Sequence, residues 1–203
     1  MSTLSSIPKF KNAKPIHFLA LMAAAAVLLI SPSAHALMRR STLAQRLLQA
    51  DDVVIGTVIE RHAELTRVKH LRMIATTVRL RVDHALRAAA SDPAPSELVI
   101  HVPGGQIDHL RLDVSDTPTF QEGERVVLLL KRLQGPHCRL VHGEGGKYLI
   151  LNDARRGSLL RGAAGQPLPP DEVTALHLPL QMAPDVTVTE FLQQLEPLLD
   201  APR

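Results

Sequence analysis

The sequence predicts a mainly β fold: a small, closed, antiparallel barrel of five to six strands, with a short helix before it and another after it. Three observations carry that expectation. From Ile74 to Leu86, apolar residues at even positions alternate with polar ones at odd positions, the period of a strand with one dry and one wet face. Val126 to Leu130 is an unbroken apolar run, short enough for a strand buried on both sides. Between Pro118 and Leu151, three such runs are separated by glycine- and proline-bearing turns, as in consecutive antiparallel strands.

Taken in order, Ser41 or Thr42 caps a short helix in which Leu43, Leu47 and Leu48 share a face, and Asp51-Asp52 end it. Val53 to Glu60 is a β-prone run, with Gly56 as a bulge or close-contact point. Arg61 to Lys69 reads as a polar connection. Ile74 to Leu86 follows, with His84 on the dry face by parity, and the pair suggests a long, bent hairpin. Arg87 to Pro95 is a proline-bearing loop. Leu98, Ile100 and Val102 alternate with Val99 and His101 as a third strand, and Pro103-Gly104-Gly105 ends it with a turn that needs positive φ.

Gln106 to Thr119 reads as a long polar connection into the strand Val126 to Leu130. Arg139 to His142 and Lys147 to Leu151 are the next two strands, joined by a hairpin turn across Gly143, Gly145 and Gly146. Ser158 to Leu160 offers one more short strand, and Val173 to Pro184 is irregular. Thr187 or Thr189 caps a terminal helix whose Phe191, Leu192, Leu195 and Leu199 would lie against the barrel. Closure of the sheet removes the edges that Val126 to Leu130 would otherwise expose. A sandwich normally wants seven or more strands, so the expected barrel is of the oligonucleotide/oligosaccharide-binding (OB-like) type.

Residues 1–36 read as an export signal. Lys9, Lys11 and Lys14 precede thirteen apolar residues, Phe18 to Ile30, and Ser31-Pro32-Ser33 breaks the run. Ala34-His35-Ala36 then supplies the small residues of a cleavage site, with cleavage expected after Ala36. Thirteen residues fall short of the roughly 20 needed to span a bilayer. The expected product is one periplasmic or secreted domain, residues 37–203, with its core at 50–151 and a C-terminal extension and helix at 152–203. No membrane contact is expected after signal removal.

Subtracting the three leader lysines from 23 basic residues leaves 20 against 20 acidic, so the mature chain would be neutral. Only Phe120, Tyr148 and Phe191 remain as aromatics. Neutrality and the missing stacking surface argue against nucleic acid as a partner. Cys138 is the only cysteine, so no intrachain disulfide forms, and its thiol sits on the opposite strand face from His137.

No catalytic set emerges from the residues. There is no Gly-x-Ser-x-Gly elbow, and the glycines before Lys147 precede a strand rather than the helix a phosphate cradle needs. Asp108, Asp113 and Asp116 lack the alternating oxygen ligands and central glycine of a calcium loop. His84, His101 and His142 are the histidines singled out for metal, but no histidine pair has a recognisable ligand spacing, so no metal or other cofactor is expected. The candidate binding loops are marked by Pro103, Gly104, Gly105, Asp108 and Lys147, because rigid β scaffolds present function on loops.

Four segments also form a pattern: Ala50-Asp51-Asp52-Val53-Val54-Ile55-Gly56-Thr57-Val58, Val102-Pro103-Gly104-Gly105, Phe120-Gln121-Glu122-Gly123-Glu124-Arg125-Val126-Val127, and Val141-His142-Gly143-Glu144-Gly145-Gly146-Lys147-Tyr148. In this order they resemble a family of uncharacterised secreted bacterial proteins, in which glycine is expected at the place of His142. The opening strand is more loosely similar to the barrel of netrin-like modules, which include tissue inhibitors of metalloproteinases. That resemblance implies fold more than function. Those inhibitors act through an N-terminal cysteine, and none lies near Leu37. The expected function is an exported, non-enzymatic binding or accessory module that docks a secreted protein such as a protease. The alternative is a histidine-dependent metal-binding protein or a periplasmic enzyme.

Overall fold

The computed structural model describes residues 41–68, 70–88 and 95–199. The expected leader with its cleavage site after Ala36, and residues 89–94 of the expected proline-bearing loop, lie outside the described residues. The fold is mainly β. Strands β1 (Asp52–Val68), β2 (Leu71–Arg87) and β3 (Glu97–Pro103) follow helix α1 (Leu43–Gln49). A ribbon of two short strands, β4 (Gly105–Ile107) and β5 (Leu110–Leu112), precedes β6 (Arg125–Arg132) and β7 (His137–Leu140). β8 (Lys147–Asp153), β9 (Gly157–Gly162), α2 (Pro170–Ala175) and α3 (Val188–Leu199) complete the chain.

β6 is the strand around which the sheet is built, because its apolar run is buried on both faces. β1 pairs antiparallel along one edge, Asp52 to Thr57 against Leu130 to Arg125. The other edge is shared: β8 pairs with Val126–Leu128 and β7 with Leu130–Arg132, both antiparallel. β1 also pairs with β2, β2 with β3, and β3 with β7 in parallel through Val99↔His137 and Ile100↔Cys138. Val126, Leu128 and Leu130 face a core with Val54, Val58, Val78, Leu80, Leu98, Ile100, Phe120 and Cys138. Val127 and Leu129 face a second core with Val53, Ile55, Tyr148 and Leu160, closed by Leu43 and Leu47 of α1, Val173 of α2 and Phe191 and Leu195 of α3. Each of the five β6 side chains from Val126 to Leu130 is fully buried, contributing roughly 2 kcal/mol of apolar transfer per residue.

The helices have the ends their residues specify. Thr42 Oγ1 accepts from Gln45 N at 3.2 Å while the Gln45 side chain accepts from Thr42 N at 3.1 Å, a reciprocal capping box. Thr187 and Glu190 do the same for α3. Leu48 does not share the buried face of α1: it is 52 % exposed, and Arg46 is buried instead. Arg46 ties α1 to the rest of this layer through Glu172 of α2 and the Gly145 carbonyl, with its guanidinium 6.0 Å from the Tyr148 ring centre.

Several expectations are corrected. The polar stretch after Glu60 is not a connection: β1 runs on to Val68, because antiparallel pairing with β2 satisfies its backbone whatever its side chains. His84 is exposed rather than on the dry face. Ile55 pairs with His84 and Gly56 with Val82, so Asp83 is an extra residue on β2 and reverses the parity beyond it. Gly56 sits at that irregularity, where a Cβ would lie 2.6 Å from the Arg81 carbonyl. Gln106 to Thr119 contains the β4–β5 ribbon rather than an unstructured connection. Helix α2 and a 3-10 turn, Leu180–Asp185, replace the irregular segment after Pro169.

The glycine cluster does not make a hairpin. β7 starts earlier than expected, at His137, and β8 continues along the same edge of β6. Residues 141–146 bulge out between them, through a 3-10 turn at Gly143–Gly146 entered with His142 at φ +52°. His142 thus holds a left-handed conformation that a residue with a side chain seldom adopts.

Candidate functional site

The site is a cleft of about 530 Å³ where the β1–β2 hairpin, the β4–β5 ribbon and the segment 117–120 meet. Ala63 of β1, Thr76 of β2 and Val102 of β3 line it from the sheet. Pro103 and Gly104 line it from the end of β3, Gly105 and Leu112 from the ribbon, and Thr117 to Phe120 from the facing segment. Arg61, Arg111 and Asp113 supply its charge.

The sequence builds this shape through the pair of glycines. Pro103 ends β3, Gly104 has φ +89° and its N–H donates to the Ile74 carbonyl at 2.8 Å. A Cβ on Gly104 would lie 2.7 Å from the Leu112 carbonyl, and one on Gly105 would lie 2.3 Å from Thr76 Oγ1. Only glycine lets the chain leave β3, turn and lie down on the hairpin as β4. Thr76 Oγ1 fastens the turn by donating to the Gly104 carbonyl at 2.7 Å.

The facing wall is held from below. Lys147 is 1 % exposed; its Nζ donates to the Thr119 carbonyl at 2.6 Å and to Glu124 Oε2 at 2.7 Å, and lies 4.4 Å from the centre of the Phe120 ring. Burial pushes the ammonium below its ordinary range, and the Glu124 carboxylate opposes that shift. Arg61 Nη1 donates to the Phe120 carbonyl at 3.2 Å, so the wall is tied from both sides.

Of the residues marked in the sequence, Pro103, Gly104 and Gly105 line the cleft. Asp108 sits in the turn of the ribbon at φ +50°, exposed and outside the cleft lining. Lys147 presents no charge to solvent and instead supports the wall. Thr76, Arg61 and Phe120 were missed by sequence reading, because their roles depend on β1 staying a strand beyond Glu60.

The three singled-out histidines are not brought together by any contact. His84 is exposed on β2, and His142 Nε2 lies 3.1 Å from Gln49 Oε1. His101 instead meets His137 across the β3–β7 pairing, with Nε2 to Nδ1 at 2.8 Å and the rings stacked 5.0 Å apart. Burial first, then the His137 charge, pushes His101 below its ordinary range. Among the described residues, no three His, Cys, Asp or Glu side chains form a group that could hold a metal ion. Cys138 is buried, and burial pushes its thiol up to about 11. Compared with known proteins, the chain matches no protein-family model and no curated protein.

Proposed function

We propose that this chain is an exported, non-enzymatic binding module: a closed, OB-like barrel whose cleft docks a segment of another secreted protein, a protease being the favoured kind. The cycle of pairings β1–β2–β3–β7–β6–β1, with β3 and β7 parallel, supports the closed barrel. One observation carries the binding reading. The cleft is pre-formed, its turn fixed by Thr76 and its wall by Lys147, and it is lined by polar and apolar groups together.

A photo-cross-linking residue placed at Gln106, on the ribbon, tests this in the native secretory setting. One dominant protein adduct is expected from position 106 and none from the same residue at Arg155, in the β8–β9 turn. No adduct, or equal adducts from both positions, overturns the reading.

A histidine-dependent metal-binding protein is the second reading, and the His101–His137 contact favours it. Two imidazoles leave a four-coordinate ion half unligated, so the affinity expected of the pair is weak. Titration with copper or zinc, with and without His101→Ala, separates it from the first.

A further inference from the structure

From Arg61 to Val68, β1 pairs with β2 without a register shift. Arg61, Ala63, Leu65 and Arg67 therefore share one face, together with their partners Val78, Thr76, Ile74 and Arg72. Ala63 and Thr76 are cleft floor, and Arg61 borders it. Beyond the ribbon, the same face continues over Leu65, 47 % exposed, to Arg67 and Arg72 directly opposite each other.

These arginines differ from their neighbours. Arg79, on the same strand as Arg72, pairs with Glu60 and Glu97, and Arg111 pairs with Asp113. Arg61, Arg67 and Arg72 form no ion pair with an acidic side chain among the described residues. From Leu65 to Val82 the sequence has five lysines and arginines and no acid. Like charges directly opposite on an antiparallel pair are destabilising. In a chain whose mature part would be neutral, this face keeps an uncompensated cationic pair at the end of an open cleft.

Resting on the cleft reading, we infer that the docked segment is an extended, acidic stretch of protein, its carboxylates on Arg61, Arg67 and Arg72 and an apolar side chain on Leu65. Guanidinium forks match carboxylates in bidentate geometry. Six residues of strand between Arg61 and Arg67 span roughly 20 Å, the reach of about six residues of extended partner. The floor lies beneath the ribbon, where a flat bilayer surface does not reach. Phe120, which lines the cleft, is 3 % exposed and offers no base-stacking surface.

The test uses the mature chain and fluorescein-labelled poly-L-glutamate, read by anisotropy at neutral pH. Binding is expected, weakening as salt rises, and the double variant Arg67→Glu/Arg72→Glu should weaken it at least tenfold while Arg139→Glu leaves it unchanged. Circular dichroism and thermal unfolding show whether both variants remain folded. No binding of poly-L-glutamate, or undiminished binding to the double variant, overturns the inference. Equally tight binding of phosphatidylglycerol vesicles or oligo-dT overturns it in favour of an unselective polyanion surface. A position-106 adduct that persists undiminished in the double variant removes the acidic-segment inference and leaves the cleft reading standing. Absence of that adduct from the otherwise native chain removes the cleft reading itself.

Discussion

Thr76 Oγ1 donates to the Gly104 carbonyl at 2.7 Å, and the same oxygen fills the space that a side chain on Gly105 would need. The hydroxyl both fastens the turn and enforces glycine at the next position.

Gly105→Ala should therefore destabilise the protein by about 2–3 kcal/mol, from the contact with Thr76 and from φ +136°, a conformation alanine rarely adopts. Thr76→Ala alone should cost about 1 kcal/mol, the net value of one hydrogen bond. In the double variant the steric part vanishes and the backbone part remains, so its loss should be smaller than the two single losses added. Urea unfolding of the four proteins measures this. Strict additivity would mean that the two residues do not meet.

Lys147→Met should be among the most destabilising single changes. It strands Glu124 and the Thr119 carbonyl beneath the cleft wall, and breaking a buried pair on one side costs about 3 kcal/mol. The Glu124 side chain is 19 % exposed, so water recovers part of that loss. The same variant should lower the position-106 adduct yield, since Thr119 and Phe120 form the wall that Lys147 holds. A variant as stable as the parent would show that the ammonium is not buried.

The strands legible in the sequence were those whose apolar period reports burial: Val53 to Glu60, Ile74 to Leu86, Leu98 to Val102 and Val126 to Leu130. The cleft glycines were legible too, because Pro-Gly-Gly after a strand announces a turn. The outer half of β1 was not. Arg61, His62, Glu64 and Arg67 are polar because that end of the hairpin has little core to cover it, and strand pairing there comes from β2 alone. His84 was misplaced by one residue of bulge, which alternation counted along a single strand does not register. Lys147 was read as a loop cation because its burial depends on Glu124 and Thr119, 23 and 28 residues away in the chain.

Cys138 should be chemically silent in the native protein. Its side chain is fully buried on β7, the nearby Asp52 carboxylate adds to the burial effect, and the thiol at about 11 leaves almost no thiolate at pH 8. A disulfide-exchange reagent at pH 8 should label less than a tenth of the protein over the time in which the urea-unfolded chain reacts completely. Rapid native labelling would place Cys138 at the surface and revive a role for its thiol.

The His101–His137 contact makes the β3–β7 pairing sensitive to acid. One imidazole must donate and the other accept across 2.8 Å, so both rings cannot be protonated in that geometry. Burial, and then repulsion from His137, hold His101 below its ordinary value of 6.5, with Glu64 opposing them. A folded-state value below the unfolded one means that the unfolded chain binds more protons in the interval between them. The stabilising contribution is therefore complete above about pH 6.5 and is lost as pH falls through the folded value. The parallel pairing it flanks joins two residue pairs, Val99↔His137 and Ile100↔Cys138. The unfolding midpoint should fall between pH 7 and pH 5, and His137→Ala should raise the folded-state value of His101 and flatten that slope. Proton NMR of the imidazole C–H resonances reads the first effect and thermal unfolding the second. A His101 that titrates at or above 6.5 in the folded protein would show that the two rings are apart.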